Sequence, residues 1–200
     1  YIKGIHRHGS EIFLILLKNS KSLETTSIIK TSSTKNGIKA IISECEGIDW
    51  YNNRTKNKIF YVLERKTETY QRIKINLNKG FYNIKSNTNY LNIKKYLDLT
   101  INHYIDIWQE YKNMNYAPFH GDLSLVGNVM FNDKNEVLFV DWEQFNNNNK
   151  MPTGLDLMMT FIENVWYEIL RYNQIDKDIL KHIKNSIQNL KEAKLFSPLL

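Results

Sequence analysis

Phe119-His120-Gly121-Asp122-Leu123-Ser124-Leu125-Val126-Gly127-Asn128-Val129-Met130-Phe131, followed by Val137-Leu138-Phe139-Val140-Asp141-Trp142-Glu143, combines two short apolar runs with a polar loop that carries His, Asp and Asn. Its two apolar runs flank Asn132-Asp133-Lys134-Asn135, a run of turn formers, so they are expected to pair as an antiparallel hairpin. Pairing Phe131 with Leu138 sets Asn128 opposite Asp141. Directly opposed side chains on one face are near neighbours. An amide oxygen beside a carboxylate is a hard-oxygen pair suited to Mg²⁺, which completes its shell with water and phosphate. Asp122 lies upstream in a polar loop after Gly121, placed to face a hydroxyl.

His120-Gly121-Asp122, then Asn128, then Asp141 at the end of the next strand resembles the aminoglycoside phosphotransferase and choline kinase superfamily. Protein kinases carry the related patterns H-R-D-x-x-x-x-N and D-F-G. Gly121 stands where protein kinases have Arg, and no A-P-E follows. The resemblance therefore implies a small-molecule acceptor. Asp141-Trp142-Glu143 is more similar to the choline kinase side. Asn128 comes six residues after Asp122, one more than the family spacing, and a wider turn before the strand would absorb the difference. A lone His-Gly-Asp is far more often a turn than a catalytic loop; the joint pattern carries the resemblance.

The resemblance implies an α+β, protein-kinase-like two-lobed fold. Residues 1–78 would form a small antiparallel β lobe with one helix that binds nucleotide. Residues 79–200 would form a mainly helical C-terminal lobe with the catalytic loop and the metal hairpin. ATP with Mg²⁺ is the implied donor, with GTP as the alternative. Asp122 would be the catalytic base, Asn128 and Asp141 the metal ligands, and His120 a residue that holds the loop. Glu143 is a candidate for a second metal or a substrate cation.

The 200 residues suit one domain or two small lobes. A hydrophobic share of 42% and a charged share of 24% are those of a globular protein, not a disordered one. The net charge of +6 permits attraction to polyanions such as nucleotides. No compact basic block supports nucleic-acid binding. The single cysteine, Cys45, excludes an internal disulfide framework and fits the cytoplasm. The apolar run 12–17 is too short to span a bilayer and lacks a signal-peptide cleavage pattern.

Residues 1–5, 11–17, 25–31, 58–68 and 70–77 read as strands, the third rich in β-branched residues. The loop 6–10 would cover phosphates in the kinase reading. Taken alone it is better read as a hairpin turn, and His6 with His8 lacks a third metal ligand nearby. Residues 37–51 read as a helix, with Ile38, Ile41, Ile42, Cys45 and Ile48 as its apolar stripe. By resemblance, Lys30 at a strand end holds the phosphates and Glu44, six residues before Trp50, fixes it. Glu46 is the rival partner on another face. A solvated Lys and an exposed helix Glu are the ordinary alternatives. Residues 78–80 form a turn and the expected hinge.

Residues 90–112 read as a long buried helix, with Trp108 in the core. Residues 146–150 read as a polar low-complexity run. Residues 157–170 form a helix whose apolar stripe is Met158, Phe161, Ile162, Val165 and Ile169, and 176–194 a last, lysine-rich one. Asp156 is either a helix-capping Asp or, as in the superfamily, a buttress of the catalytic loop. The expected function is ATP-dependent transfer of phosphate to the hydroxyl of choline or ethanolamine, an aminoglycoside, or a sugar. For a cationic acceptor, Trp142, Glu143, Trp166, Tyr167 and Glu168 could supply a pocket. The alternative is a kinase-like binding or scaffold protein without catalysis.

Overall fold

The computed structural model describes residues 2–7, 10–18, 25–84, 90–172 and 177–200, and the side chains of 12–18, 25–84, 93–148, 151–165 and 177–200. The chain is α+β, with four helices and antiparallel sheets among the described residues. It divides into two compact units: Tyr1–Lys79 with Trp142–Gln144, and Gly80–Asp141 with Phe145–Leu200. Among the described residues, no helix is long and apolar enough to cross a membrane.

The first unit holds β1 (Ile2–Arg7), β2 (Ser10–Lys18), β3 (Thr25–Ser32), α1 (Lys35–Asn52), β4 (Phe60–Thr67) and β5 (Tyr70–Asn76). The strands form one antiparallel sheet in the order β1-β2-β3-β5-β4. β5 alternates as a half-buried strand should, with Gln71, Ile73 and Ile75 inside. Helix α1 starts at Thr34, whose side chain accepts the Gly37 N–H at 3.1 Å and satisfies one orphan donor of the first turn. Ile41, Glu44, Ile48 and Tyr51, three to four residues apart, are its most buried large side chains. Each such apolar side chain contributes roughly 1.5–3 kcal/mol on burial. The helix packs on β2, β3 and β5. Ile42, expected in the stripe, is instead 39% exposed. β4 is an edge strand, and its Phe60, Val62 and Leu63 are exposed. His8, Gly9 and the His6 side chain lie outside the described residues, so the phosphate-loop and histidine-pair readings fall there.

The second unit is not simply helical. Its helices α2 (Tyr90–Ile107), α3 (Leu155–Tyr172) and α4 (Lys177–Glu192) accompany five short strands: β6 (Tyr82–Asn83), β7 (Tyr116–Phe119), β8 (Val129–Phe131), β9 (Val137–Phe139) and β10 (Asn146–Pro152). These make a three-stranded sheet, β6-β8-β9, and a β10-β7 ribbon. The C-terminal region, expected to be mainly helical, thus combines three helices with two small sheets among the described residues. The polar run 146–150 lies within strand β10, which pairs with β7 at Asn146, Met151 and Pro152 and shifts register between Asn146 and Met151. The helix read to residue 112 closes at Ile107; a 3₁₀ turn follows, and Asn113, with φ 67°, reverses the chain. Trp108 and Tyr104 stack 4.2 Å apart in the core, and the Trp108 indole donates to the Pro118 carbonyl at 2.7 Å. That bond ties the core to the strand leading into the His120 loop.

The hairpin register differs from the expected one by one residue. Val129 pairs with Phe139 and Phe131 with Val137, not Phe131 with Leu138. Val140 N–H donates to the Asn128 carbonyl at 2.9 Å, so Val140 and not Asp141 lies across from Asn128. The turn decides this. Asn135 adopts φ 61° and donates to the Asn132 carbonyl, while the Asn132 side chain accepts the Lys134 and Glu136 N–H groups. This closes a three-residue turn between Asn132 and Glu136, and turn length sets register.

Candidate active site

In the first unit, β3 carries Lys30 on the same sheet face as its cross-strand partner Ile73. Lys30 is 6% exposed, and its ammonium lies 2.5 Å from Glu44 Oε2 and 2.8 Å from Glu143 Oε1. Glu44 is 1% exposed, whereas the rival Glu46 is exposed. Helical geometry explains the difference: two positions along α1 turn the side chain by about 200°. Burying a lysine is costly unless it is paired, and here its charge is met by carboxylates. Beside it, burial and then the Glu44 and Asp49 charges push the Cys45 thiol up to about 11, so it stays protonated.

Trp142 explains how Glu143 reaches Lys30. Trp142 is fully buried against Tyr51 and Trp50, with ring centroids 5.2 and 5.9 Å away. It is therefore a core anchor and not the pocket wall that a cationic substrate would need. The side chains of Trp166, Tyr167 and Glu168 lie outside the described ones.

In the second unit, the His120 loop is held from three sides. Gly121 takes φ 89°, a left-handed conformation that favours glycine. The His120 ring is fully buried; its Nδ1 accepts the Asp122 N–H at 3.3 Å and its Nε2 donates to the Val140 carbonyl at 3.0 Å. The Asp156 carboxylate accepts the His120 N–H at 2.9 Å and the Gly121 N–H at 3.0 Å. Burial pushes Asp156 up to about 6, against the pull of those two donors. Asp156 is thus bound to the loop and is not merely a cap of α3.

Two more residues of α3 complete the hold. Thr160 Oγ1 donates to the Leu123 carbonyl at 2.5 Å, and Ser124 Oγ donates to Glu163 Oε1 at 2.7 Å. Asp156, Thr160 and Glu163 are spaced four and three apart, one stripe of a helix. The sequence reading missed Thr160 and Glu163. Polar residues recurring at that spacing on an apolar helix were the available signal. Ile162, read as core, is 56% exposed instead. Burial raises the Glu163 carboxyl, against the hydrogen bonds from Ser124 and the Leu125 backbone.

The extra residue between Asp122 and Asn128 is taken up by a wide turn. The Ser124 carbonyl accepts both the Asn128 and Val129 N–H groups, at 2.8 and 3.1 Å. Asn128 is 6% exposed, and its amide nitrogen donates to the Asp122 carbonyl at 2.6 Å. Its Oδ1 is the atom that remains to meet a ligand, a hard oxygen of the kind Mg²⁺ takes. Strict alternation would put Asp141 on the other face of the hairpin from Asn128. Asp141 breaks that alternation, because its φ of 66° is not extended. Such strain in a non-glycine residue clusters at functional sites. Comparison with known proteins finds no matching family model and no curated protein of similar sequence.

Proposed function

We propose that this chain is a phosphotransferase of protein-kinase-like fold that moves phosphate from ATP, with Mg²⁺, to the hydroxyl of a small molecule in the cytoplasm. The observation that carries the reading is the buried Lys30–Glu44 pair. It joins a strand-end lysine to a helix glutamate, the arrangement that fixes an ammonium for nucleotide phosphates. The loop around Asp122 adds support: Asp156, His120 and Asn128 hold its backbone. Preorganised positioning is what phosphoryl transfer asks of a protein.

In this mechanism Asp122 accepts the proton of the acceptor hydroxyl and orients it for attack. Lys30, fixed by Glu44, binds phosphate oxygens. Asn128 Oδ1 and the Asp141 carboxylate fit a hard cation, and bound Mg²⁺ supplies charge neutralisation on the transferred phosphate. His120 and Asp156 keep the loop in place. The acceptor hydroxyl is that of choline or ethanolamine, an aminoglycoside or a sugar.

The test is ADP release with ATP–Mg²⁺ across a panel of amino alcohols, aminoglycosides and sugars, with Asp122→Asn as the control. Acceptor-dependent release lost in the variant supports the reading. The second reading, a kinase-like binding module without catalysis, is favoured by the engagement of Lys30 with Glu143. ATP binding without acceptor-dependent turnover would select it.

A further inference from the structure

The register of the first sheet sorts its side chains between two faces. Lys30 and Ile73 share the face on which α1 lies, and Lys30 meets Glu44 of that helix there. Their neighbours in sequence share the opposite face. On it Phe13, Thr31, Arg72 and Arg65 follow one another across β2, β3, β5 and β4, and Ile15, Ile29, Lys74 and Val62 form the next row. Leu17 and Phe60 end the row after that. Phe13, Phe60 and Val62 are 48%, 66% and 55% exposed. Large apolar side chains gathered on one exposed face mark an interaction surface.

Cations interrupt the apolar rows. Arg72 is balanced by Glu64 at 2.7 Å. Lys74 stands between Ile29 and Val62, and Arg65 lies beside Arg72. Lys18 pairs with Thr25, two residues from Ser27, and so closes β2 at the edge of this face. The positive excess of the chain lies in this unit. Residues 1–79 carry more than twice as many Lys and Arg as Asp and Glu, whereas in residues 80–200 Asp and Glu outnumber Lys and Arg. Like charge opposes a second copy on this face. Nucleic-acid bases stack on aromatic rings and gain little from Val and Leu. An anionic lipid surface matches both features: cations meet the headgroups while apolar side chains enter the acyl boundary.

We propose that the sheet face opposite Lys30 docks on an anionic lipid surface. Phe13, Phe60 and Val62 are its apolar anchors, and Lys18, Lys74 and Arg65 meet the headgroups. Docking there leaves the face of Lys30 and Glu44 turned away from the lipid. The surface is therefore separate from the phosphotransferase reading and stands or falls without it.

The experiment is flotation of the full chain with vesicles of phosphatidylcholine alone and of phosphatidylcholine with phosphatidylglycerol. The parent is expected to bind the anionic vesicles at least about tenfold more tightly than the neutral ones, and added salt should weaken this binding. Lys74→Gln and Arg65→Gln are each expected to weaken it about fivefold. Phe60→Ser combined with Val62→Ser is expected to weaken it at least about tenfold. Circular dichroism checks that each variant is folded; if the double variant is not, Phe13→Ser replaces it. Folded parent protein that binds no anionic vesicle, or binds neutral ones equally well, overturns the proposal. Anionic binding untouched by the apolar replacements also overturns it, since a merely basic surface would behave so. Binding of poly-glutamate without vesicle binding overturns it in favour of an acidic protein partner. A dimer in sedimentation that Phe60→Ser with Val62→Ser dissolves, without vesicle binding, overturns it in favour of a second copy.

Discussion

The Asn128 side chain donates to the Asp122 backbone carbonyl at 2.6 Å. The residue expected to hold a cation therefore also holds the loop that carries the expected base. Asn128→Ala removes a buried donor and should cost about 1–3 kcal/mol in urea unfolding. Asn128→Asp should cost at least as much, since a carboxylate only accepts, yet it adds charge for a cation. Added Mg²⁺ should raise the melting temperature of the Asp variant more than that of the Ala variant. Two variants as stable as the parent would show that this bond does not secure the loop.

Lys30 ties stability to the site. Lys30→Ala removes the positive charge 2.5 Å from a carboxylate that is almost completely buried. Breaking a buried pair costs about 3–5 kcal/mol. Adding Glu44→Gln should recover part of that loss, as a double-mutant cycle measures. Additive losses would mean that the pair is not coupled. Loss of ATP binding is then to be judged on the double variant, where the fold is better preserved.

Asp122→Asn keeps the shape of the loop and removes its base. Turnover on a true acceptor should fall by about 10²–10⁴-fold, with ATP affinity nearly unchanged. Equal turnover in parent and variant would remove Asp122 from the chemistry.

Asp156 makes a prediction about pH. Burial holds its carboxyl at about 6 in the folded chain, above the ordinary 3.8. Between these values the folded chain holds a proton that the unfolded chain has released. This group's contribution to stability therefore grows as pH falls through the window and shrinks as pH rises. Turnover should move the opposite way, because the ionised form accepts both loop N–H groups. An acid limb near pH 6 that Asp156→Asn abolishes is expected in kcat, and a parent profile flat across that region would contradict it.

Two glycines separate conformational strain from crowding. Gly80 and Gly154 both have positive φ, 78° and 92°. A Cβ at Gly80 meets nothing within 4 Å, whereas at Gly154 it would come 2.9 Å from the Leu195 carbonyl oxygen. Gly80→Ala should cost about 1–2 kcal/mol, the left-handed penalty alone. Gly154→Ala should cost distinctly more, and would disturb the start of α3 just before Asp156. Equal losses in thermal melts would refute the crowding argument.

Much of the first unit is legible in the chain itself. The β-branched run ending at Lys30, the alternation of Ile73 and Ile75, and the three-and-four spacing of Ile41, Ile48 and Glu44 are local periodicities. Local periodicity follows from strand and helix geometry. The turn at 132–135 was equally plain from composition. What tertiary structure alone decided was register and partnership. The left-handed Asn135 set Val140 across from Asn128 where sequence symmetry suggested Asp141. β7 paired with the two ends of the asparagine-rich strand, at Asn146 and at Met151 and Pro152. Glu143 found Lys30 across 113 positions of chain, and Asp156 found His120 across 36. A carboxylate's sequence neighbours do not say which distant ammonium or N–H will satisfy it. That depends on where packing, here of Trp142 against Trp50 and Tyr51, finally places the backbone.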